Sequence, residues 1–305
     1  MSSARSGLFA VIGAATLWGI SGALAKWFFT ATAIPPLLFS QVRLGLSSLL
    51  LFSWFGLTNR RLLRFPKGEL RFLLLWGTAG LAMVQFTYMA TLSLTNVATA
   101  VFLQYLSPLL TALWGAVTGT ERLSSRLVLC LGIASGGSAL LLMSGEGLKI
   151  STLGLVVGLT SAFAMAANSV IGSKGAQRHS AWGMLAWGML VGFLFWLVVD
   201  LGLWAVGRPL QGLDLLIDPS TLGYFGYLAL FATIIPFGLF TIGLGRVGPT
   251  IGTMTAMLEP VVASAAAFLL LGEAMAPMQI LGGALILTAV LLLQTGRTTS
   301  ASKSA

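Results

Sequence analysis

Residues 106–123 read LSPLLTALWGAVTGTERL, and residues 258–275 read LEPVVASAAAFLLLGEAM. The two stretches align without a gap, and Pro108 pairs with Pro260 at an offset of 152 residues. This offset is close to half of the 305-residue chain. The match therefore indicates a duplication in which one half of the chain repeats the other.

The composition outside these stretches indicates that both repeats lie in a membrane. Hydrophobic residues make up 57% of the chain and charged residues only 8%, whereas a soluble domain carries about 25% charged residues. Uncharged runs such as 72–120 and 219–245 exceed the ~20 residues that span a hydrocarbon core. A soluble globular protein is therefore excluded.

Cutting the chain at charges, prolines and polar breaks predicts ten transmembrane spans. They cover residues 7–29, 36–57, 70–91, 96–118, 126–143, 152–173, 181–204, 221–243, 249–270 and 277–294. The expected fold class is an all-α polytopic membrane protein with ten transmembrane helices. These form two inverted five-helix repeats, because an odd number of spans reverses the second copy. The repeats are expected at 1–147 and 148–295, followed by a disordered cytoplasmic tail at 296–305.

The positions of the basic residues predict the orientation of the chain. If the amino terminus is cytoplasmic, the cytoplasmic segments hold thirteen Lys and Arg residues and the outer loops hold two, Lys149 and Arg208. This asymmetry follows the positive-inside rule and places both termini in the cytoplasm. It also places Glu121 and Glu273 on opposite sides, as an inverted repeat requires.

The composition also limits the chemistry of the protein. The chain has one histidine and one cysteine, so an ordinary transition-metal site is not expected, and neither is a cofactor. The net charge of +9 is explained by sidedness, so nucleic acid is not expected as a partner. No Walker motif is present, and the only acid predicted at mid-membrane is Glu259, so an enzyme is not expected.

Several motifs resemble those of the EamA family in the drug/metabolite transporter superfamily. They are ATLWGISG at 15–22, Arg43 in the second span, Leu258-Glu259-Pro260-Val261, and Leu271-Gly272-Glu273. The resemblance covers residues 7–294. It implies a secondary carrier of a bacterial-type inner membrane that exports amino acids or related small metabolites by alternating access.

Two other interpretations remain open at this point. One is a multidrug or organic-cation exporter of the same fold, and the other is a membrane-embedded protein that does not transport. The expected partners of a carrier are a small-molecule substrate, the lipid bilayer and protons as the coupling ion.

Two charged residues inside the predicted spans are candidates for charge coupling. Glu259 lies mid-span beside Pro260, where its carboxyl could bind a proton or a substrate ammonium, or could bond backbone groups freed by the proline. Arg43 lies about 10 Å below the outer edge of its span, at 1.5 Å per residue. It could hold a substrate carboxylate or instead bind helix-end carbonyls.

The remaining substrate-binding candidates are polar or aromatic residues within the spans. They are Trp18, Ser21, Gln85, Tyr88, Gln104, Tyr105 and Asn168, together with Glu259. Gln104 also belongs to a stripe of small and polar residues on the fourth span, at Ala100, Gln104, Ser107, Thr111 and Gly115. Such a stripe is typical of a close helix contact or of a cavity wall.

Overall fold

A computed structural model describes residues 3–32, 34–64, 68–143, 151–208, 210–271 and 275–301. Within these ranges the chain forms ten helical spans joined by short connectors, which confirms the predicted fold class. The spans are α1 (Ser3–Thr32), α2 (Pro36–Thr58), α3 (Leu70–Leu94), α4 (Val97–Val117), α5 (Ser125–Met143), α6 (Thr152–Ala176), α7 (Ala181–Ala205), α8 (Pro219–Val247), α9 (249–271) and α10 (Pro277–Ala301). Two short 3₁₀ helices, Arg60–Leu63 and Leu213–Ile217, lie in the connectors.

Local signals explain several boundaries. The predicted break near residues 93–96 is present, because α3 ends at Leu94 and the Asn96 side chain caps α4 by accepting from the Thr99 backbone N–H at 2.9 Å. Ser151 caps α6 in the same way, accepting from the Gly154 N–H at 3.0 Å. Each cap satisfies a backbone donor that the first helical turn leaves without a partner.

The last helix is longer than expected. Hydropathy ends the tenth span at residue 294, but α10 continues to Ala301. Residues 296–301 belong to this helix, because an established helix gains a hydrogen bond for each added residue and no proline interrupts it. The end of that tail, residues 302–305, lies outside the described residues.

The duplication is visible in the irregular parts of the backbone. A π-helical segment interrupts α3 at Trp76–Ala82, and a second interrupts α8 at Leu228–Ile234. Likewise α4 is broken after Gln104, and α9 is broken after Ala256. Both pairs of features stand 152 residues apart, so the two halves share one backbone plan.

The repeats pack against each other through equivalent helices. Two equivalent pairs are α1 with α8 and α6 with α3. The other three pairs each join a helix to its own counterpart, namely α2 with α7, α4 with α9, and α5 with α10. Gly137 and Gly282 let α5 and α10 approach closely, because a Cβ at Gly137 would stand 2.7 Å from the Gly282 carbonyl oxygen. Glycine at such a crossing allows backbone contact that larger residues prevent.

The helices are in close contact at one of the two faces of the bundle. We call the face where α1 begins the amino-terminal face, and the one where α1 ends the opposite face. At the amino-terminal face, Arg246 at the end of α8 donates to the Ser6 hydroxyl at 2.9 Å. Nearby, a Cβ on Gly243 would stand 2.9 Å from the Gly7 carbonyl oxygen. The helices α1 and α8 are therefore in close contact at this face.

Candidate functional site

A cavity of about 310 Å³ lies between the two repeats. Its walls come from the half of α1, α2, α3, α4 and α5 nearer the opposite face, and from the middle of α6, α8 and α9. The cavity therefore reaches from mid-depth toward the opposite face. Its lining includes Trp18, Ser21, Arg43, Gln85, Tyr88, Gln104, Tyr105 and Glu259, which are all but one of the residues expected to bind substrate or carry charge.

The carboxyl of Glu259 lies at the break in α9. Pro260 has no backbone N–H, so the carbonyl of Ala256, four residues earlier, has no helical donor. The Tyr105 hydroxyl, at the break in α4, is 2.8 Å from Glu259 Oε2 and 3.4 Å from that carbonyl oxygen. Glu259 is thus held by a side chain from the other repeat, while its carboxyl lines the cavity.

The guanidinium of Arg43 is bound on the cavity wall by α8. Its Nε and Nη2 donate to the Thr233 hydroxyl at 3.1 and 2.8 Å, and Nη2 also donates to the Ala232 carbonyl at 3.2 Å. Pro236 lies four residues after Ala232, which leaves that carbonyl without its helical donor. The Arg43 Cζ atom lies over the Phe39 ring, 5.4 Å from the ring centroid. Arg43 therefore binds a backbone carbonyl in the middle of α8, whereas one of the two sequence-based interpretations placed such a contact at helix ends.

Tyr88 connects the two charged regions of the cavity. Its side chain interacts electrostatically with both Glu259 and Arg43. The cavity thus has a carboxyl on α9, a guanidinium on α2, and a phenol within range of both. A molecule that carries an ammonium and a carboxylate matches this arrangement of charges.

Aromatic side chains form the wall next to Arg43. The Trp18 indole donates to the same Ala232 carbonyl at 3.2 Å. Its ring stands edge-on to Phe237 and Phe240, with centroids 5.1 and 5.3 Å away. The indole is therefore fixed in place by three contacts, and it offers the cavity a rigid apolar surface.

Three smaller polar side chains complete the lining. Gln104 donates its amide to the Ser161 hydroxyl of α6 at 3.1 Å. Ser21 donates to the Leu17 carbonyl within its own helix. Gln85 is buried, and its Nε2 donates to the Met189 sulfur at 3.9 Å.

Asn168 is placed apart from the other candidates. It is not among the cavity-lining residues. It is 2% exposed and lies against the π-helical segment of α3, where its backbone carbonyl accepts from the Trp76 indole at 3.2 Å. Met165, three residues earlier on α6, reaches the cavity, whereas Asn168 contacts Gly80 of α3.

The small-residue stripe on α4 divides by depth. Gln104 and Ser107 line the cavity. Nearer the amino-terminal face, the Thr111 and Thr253 hydroxyls meet at 3.2 Å, joining α4 to α9. Beyond them Thr250 donates to the Glu121 carboxylate. The stripe is thus a cavity wall at mid-depth and a closed helix contact below it.

The sequence reasoning missed the residues that hold Arg43 and Trp18, namely Ala232, Thr233 and Phe237. The available signal was Pro236, which frees the Ala232 carbonyl inside a predicted span. Asp200, a half-buried acid near the end of α7, was also not considered, and it lies outside the cavity lining. Among the described residues, no group of three His, Cys, Asp or Glu side chains is placed to hold a metal ion.

Comparison with protein families identifies this arrangement. A model of the EamA-like transporter family matches residues 5–143 and residues 152–295. The chain belongs to the EamA-like transporter family. The two matched segments correspond to the two halves seen in the backbone, and the protein is a multi-pass membrane transporter.

Individual relatives agree with this assignment. The uncharacterized inner membrane transporter YicL of Salmonella typhimurium is 27% identical over 297 residues, covering 96% of each chain. A probable amino-acid metabolite efflux pump of Escherichia coli K12 is 30% identical over 182 residues, covering 58% of this chain and 60% of its own. One crystal structure, described only as that of a protein, has a TM-score of 0.74 at 21% identity and covers 95% of this chain and 96% of its own, which supports the fold.

Proposed function

We propose that this transporter is a secondary active exporter of amino acids or related small metabolites in a bacterial-type inner membrane. The observation that carries the proposal is that Glu259 and Arg43 both line one cavity between the repeats. The carboxyl suits the ammonium of an amino acid and the guanidinium suits its carboxylate. The volume of about 310 Å³ is at the lower end of the ~300–1,000 Å³ typical of small-molecule sites.

The similarity to a relative named as a probable amino-acid metabolite efflux pump supports both the substrate class and the direction. The excess of basic residues in alternate connectors supports cytoplasmic termini. With that orientation, the amino-terminal face is cytoplasmic and the cavity extends toward the outer side. Fusions of a reporter after residues 31, 66, 146, 211 and 297 test the orientation, and a periplasmic signal from the last one would contradict it.

Alternating access follows from the inverted repeat in this proposal. The Thr111–Thr253 contact closes the crossing of α4 and α9 on the amino-terminal side of the cavity. The residues at the 152-residue offset are Ala263 and Val101, and both line the cavity on its other side. If the Thr111–Thr253 contact broke and Val101 came into contact with Ala263, the outer side would close and the cytoplasmic side would open.

Protons are the proposed coupling ion. The Glu259 carboxyl lines the cavity within the membrane-spanning part of α9, so its binding and release of a proton would accompany movement between the two faces. A proton and a substrate ammonium would compete for this carboxyl, which links outward movement of the substrate to inward movement of protons.

A multidrug or organic-cation exporter is the second candidate. The mostly apolar lining, which includes Val84, Met89 and Phe237, favours it, as does the carboxyl of Glu259. Arg43 separates the two candidates, because a cationic drug gains nothing from a guanidinium on the cavity wall.

Transport into liposomes tests the proposal directly. Purified protein is placed in vesicles with an acidic lumen, and uptake of a labelled amino-acid mixture is measured with and without a protonophore. Uptake above the equilibrium level that the protonophore abolishes is the expected result. Uptake of a quaternary ammonium probe with no uptake of amino acids would favour the second candidate, and no uptake of either would overturn the exporter.

A further inference from the structure

Gln85 has a hydrogen-bond acceptor that no described residue satisfies. Its side chain is 4% exposed, and its Oε1 atom is buried without a hydrogen-bond partner. An amide carbonyl buried without a donor loses the hydrogen bond that it makes to water in the unfolded chain, and this destabilises the fold. Gln85, a residue of the cavity wall, therefore holds an acceptor that the described residues leave unused.

The position of this acceptor distinguishes it from the others like it. Further buried polar atoms without a hydrogen-bond partner among the described residues occur at Ser47, Ser138, Asn168, Asp200 and Thr255. None of these residues lines the cavity, whereas Gln85 does. The combination of an unused acceptor and a cavity position indicates that the donor comes from a bound molecule.

Gln85 also lies close to the charged groups. It precedes Tyr88 by three residues on α3, which is about 4.5 Å along the helix axis and on a neighbouring part of the same face. Tyr88 interacts electrostatically with both Glu259 and Arg43. A ligand bound between these charges would therefore share one cavity with Gln85, close to Tyr88.

We propose that Gln85 recognises a hydrogen-bond donor on the side chain of the bound amino acid. The preferred substrates are then neutral amino acids whose side chain carries a hydroxyl or an amide N–H, in preference to apolar amino acids of the same shape. The amide can turn to meet such a donor, because rotation about its last side-chain bond is soft. This inference rests on the proposed amino-acid substrate and adds the feature by which one amino acid is chosen over another.

Threonine and valine provide the test, because they have nearly the same shape and differ in one hydroxyl. Binding is measured as the concentration of each ligand that raises the unfolding temperature of the purified protein, since a ligand stabilises the state that it binds. Wild-type protein is expected to bind threonine about 10- to 100-fold more tightly than valine, the ratio that one satisfied buried acceptor gives.

Variants at Gln85 locate the effect. Gln85→Met keeps the length and removes the acceptor, so the preference is expected to fall below about threefold, mainly by weaker threonine binding. Gln85→Glu keeps an acceptor oxygen and should keep the preference. Gln41→Met is the matched control, because Gln41 is a buried amide outside the cavity lining whose side chain bonds Asp200, so the preference for threonine should be unchanged. If Gln85→Met is not recovered folded, Gln85→Leu replaces it.

The outcomes separate this inference from the proposed function. Equal binding of threonine and valine by the wild type, or an unchanged preference in Gln85→Met, would overturn the role of Gln85 and leave the amino-acid carrier intact. If no amino acid stabilises the wild-type protein at any concentration, the proposed substrate class fails, and the inference fails with it.

Discussion

The break in α4 and the break in α9 are related by the repeat, yet only one of them carries an acid. Each break follows the residue whose carbonyl loses its donor to a proline, Gln104 before Pro108 and Ala256 before Pro260. The equivalent of Glu259 is Ser107, two residues beyond Tyr105. The hydroxyl and the carboxyl that meet in the cavity therefore come from different repeats.

A second pair of equivalent contacts shows the same contrast. The helices α2 and α7 begin 145 residues apart, which makes Gly188 the counterpart of Arg43. Arg43 binds Thr233 of the second π-helical segment, whereas Gly188 packs on Leu81 of the first, where a Cβ would stand 2.8 Å from the leucine Cδ1. The duplicated backbone is nearly symmetric, and substitutions at a few positions made one of the two equivalent regions a polar site and the other a packed core.

The largest expected effect comes from removing the acid that breaks this symmetry. Glu259→Gln keeps the shape and the hydrogen bond to Tyr105 but cannot carry a proton or attract an ammonium. We expect it to abolish uptake against a gradient in acid-lumen vesicles while protein abundance stays normal. Glu69→Gln, which removes a carboxyl at the amino-terminal face, is the matched control.

Moving the acid to the other repeat sharpens this prediction. In Ser107→Glu combined with Glu259→Ser, the acid stands at the equivalent position, but Met257 replaces Tyr105 as its neighbour across the repeat and offers no hydroxyl. Transport should not return. Full concentrative transport by Glu259→Gln, with an unchanged dependence on pH, would remove Glu259 from the coupling mechanism.

The next largest effect is expected at Arg43. Arg43→Gln removes the charge, so amino acids should bind about 10- to 100-fold more weakly, the value of one charge-assisted hydrogen bond, while amines without a carboxylate should be unaffected. Competition between an amino acid and the corresponding amine measures the ratio. Equal weakening of both ligands would mean that Arg43 only supports α8 through Ala232 and Thr233.

A smaller effect is expected where α4 and α9 meet. Thr111→Val together with Thr253→Val removes the contact that closes the amino-terminal side and leaves the shape unchanged. Loss of one hydrogen bond should shift the population toward the alternative state about two- to tenfold. The yield of a disulfide between cysteines introduced at Val101 and Ala263, in a Cys130→Ala background, should rise accordingly.

Thr91→Val is the control for that experiment, because the Thr91 hydroxyl donates to the Thr87 carbonyl of its own helix. It should leave the cross-linking yield unchanged. An unchanged yield in the double variant would show that the threonine contact does not hold the observed state.

The smallest expected effect is on stability and comes from the carboxylate that caps α8, since α3 has no such cap. Asp218 caps α8, and the hydrogen bonds that it accepts from Ser220 and Thr221 hold the pKa of its carboxyl below the ordinary value of 3.8. Glu69, at the same position before α3, does not cap its helix and instead accepts from Arg178. A lowered pKa means that the carboxylate stabilises the fold above its ordinary pKa and loses this effect as the pH falls through the lowered value. Asp218→Asn keeps the cap without the charge.

The unfolding temperature of Asp218→Asn should therefore lie slightly below that of the wild type at pH 7, and the two should converge in strong acid. A difference for Asp218→Asn that persists at low pH would mean that the charge of the cap is not the cause.

Much of the candidate site could be predicted from residue type alone. Glu259 and Arg43 were identifiable because a charged side chain inside a span is costly and must face protein or water, which made a role in the cavity or in helix contacts the expected outcome. Asn168 shows the limit of this reasoning. Helical spacing did not reveal that Asn168 packs against Gly80 of α3, where its backbone carbonyl accepts from the Trp76 indole.

The sequence by itself determined the ten spans, the repeat and the uneven distribution of basic residues, because these depend on local composition and on the fixed thickness of the bilayer. Only the tertiary structure decided how each helix is rotated. A span that is hydrophobic on all sides carries little signal for its own rotation, so neighbouring helices set which side chains face inward. That is why the freed Ala232 carbonyl under Arg43 and Trp18, and the unused acceptor of Gln85, became visible only in the packed bundle.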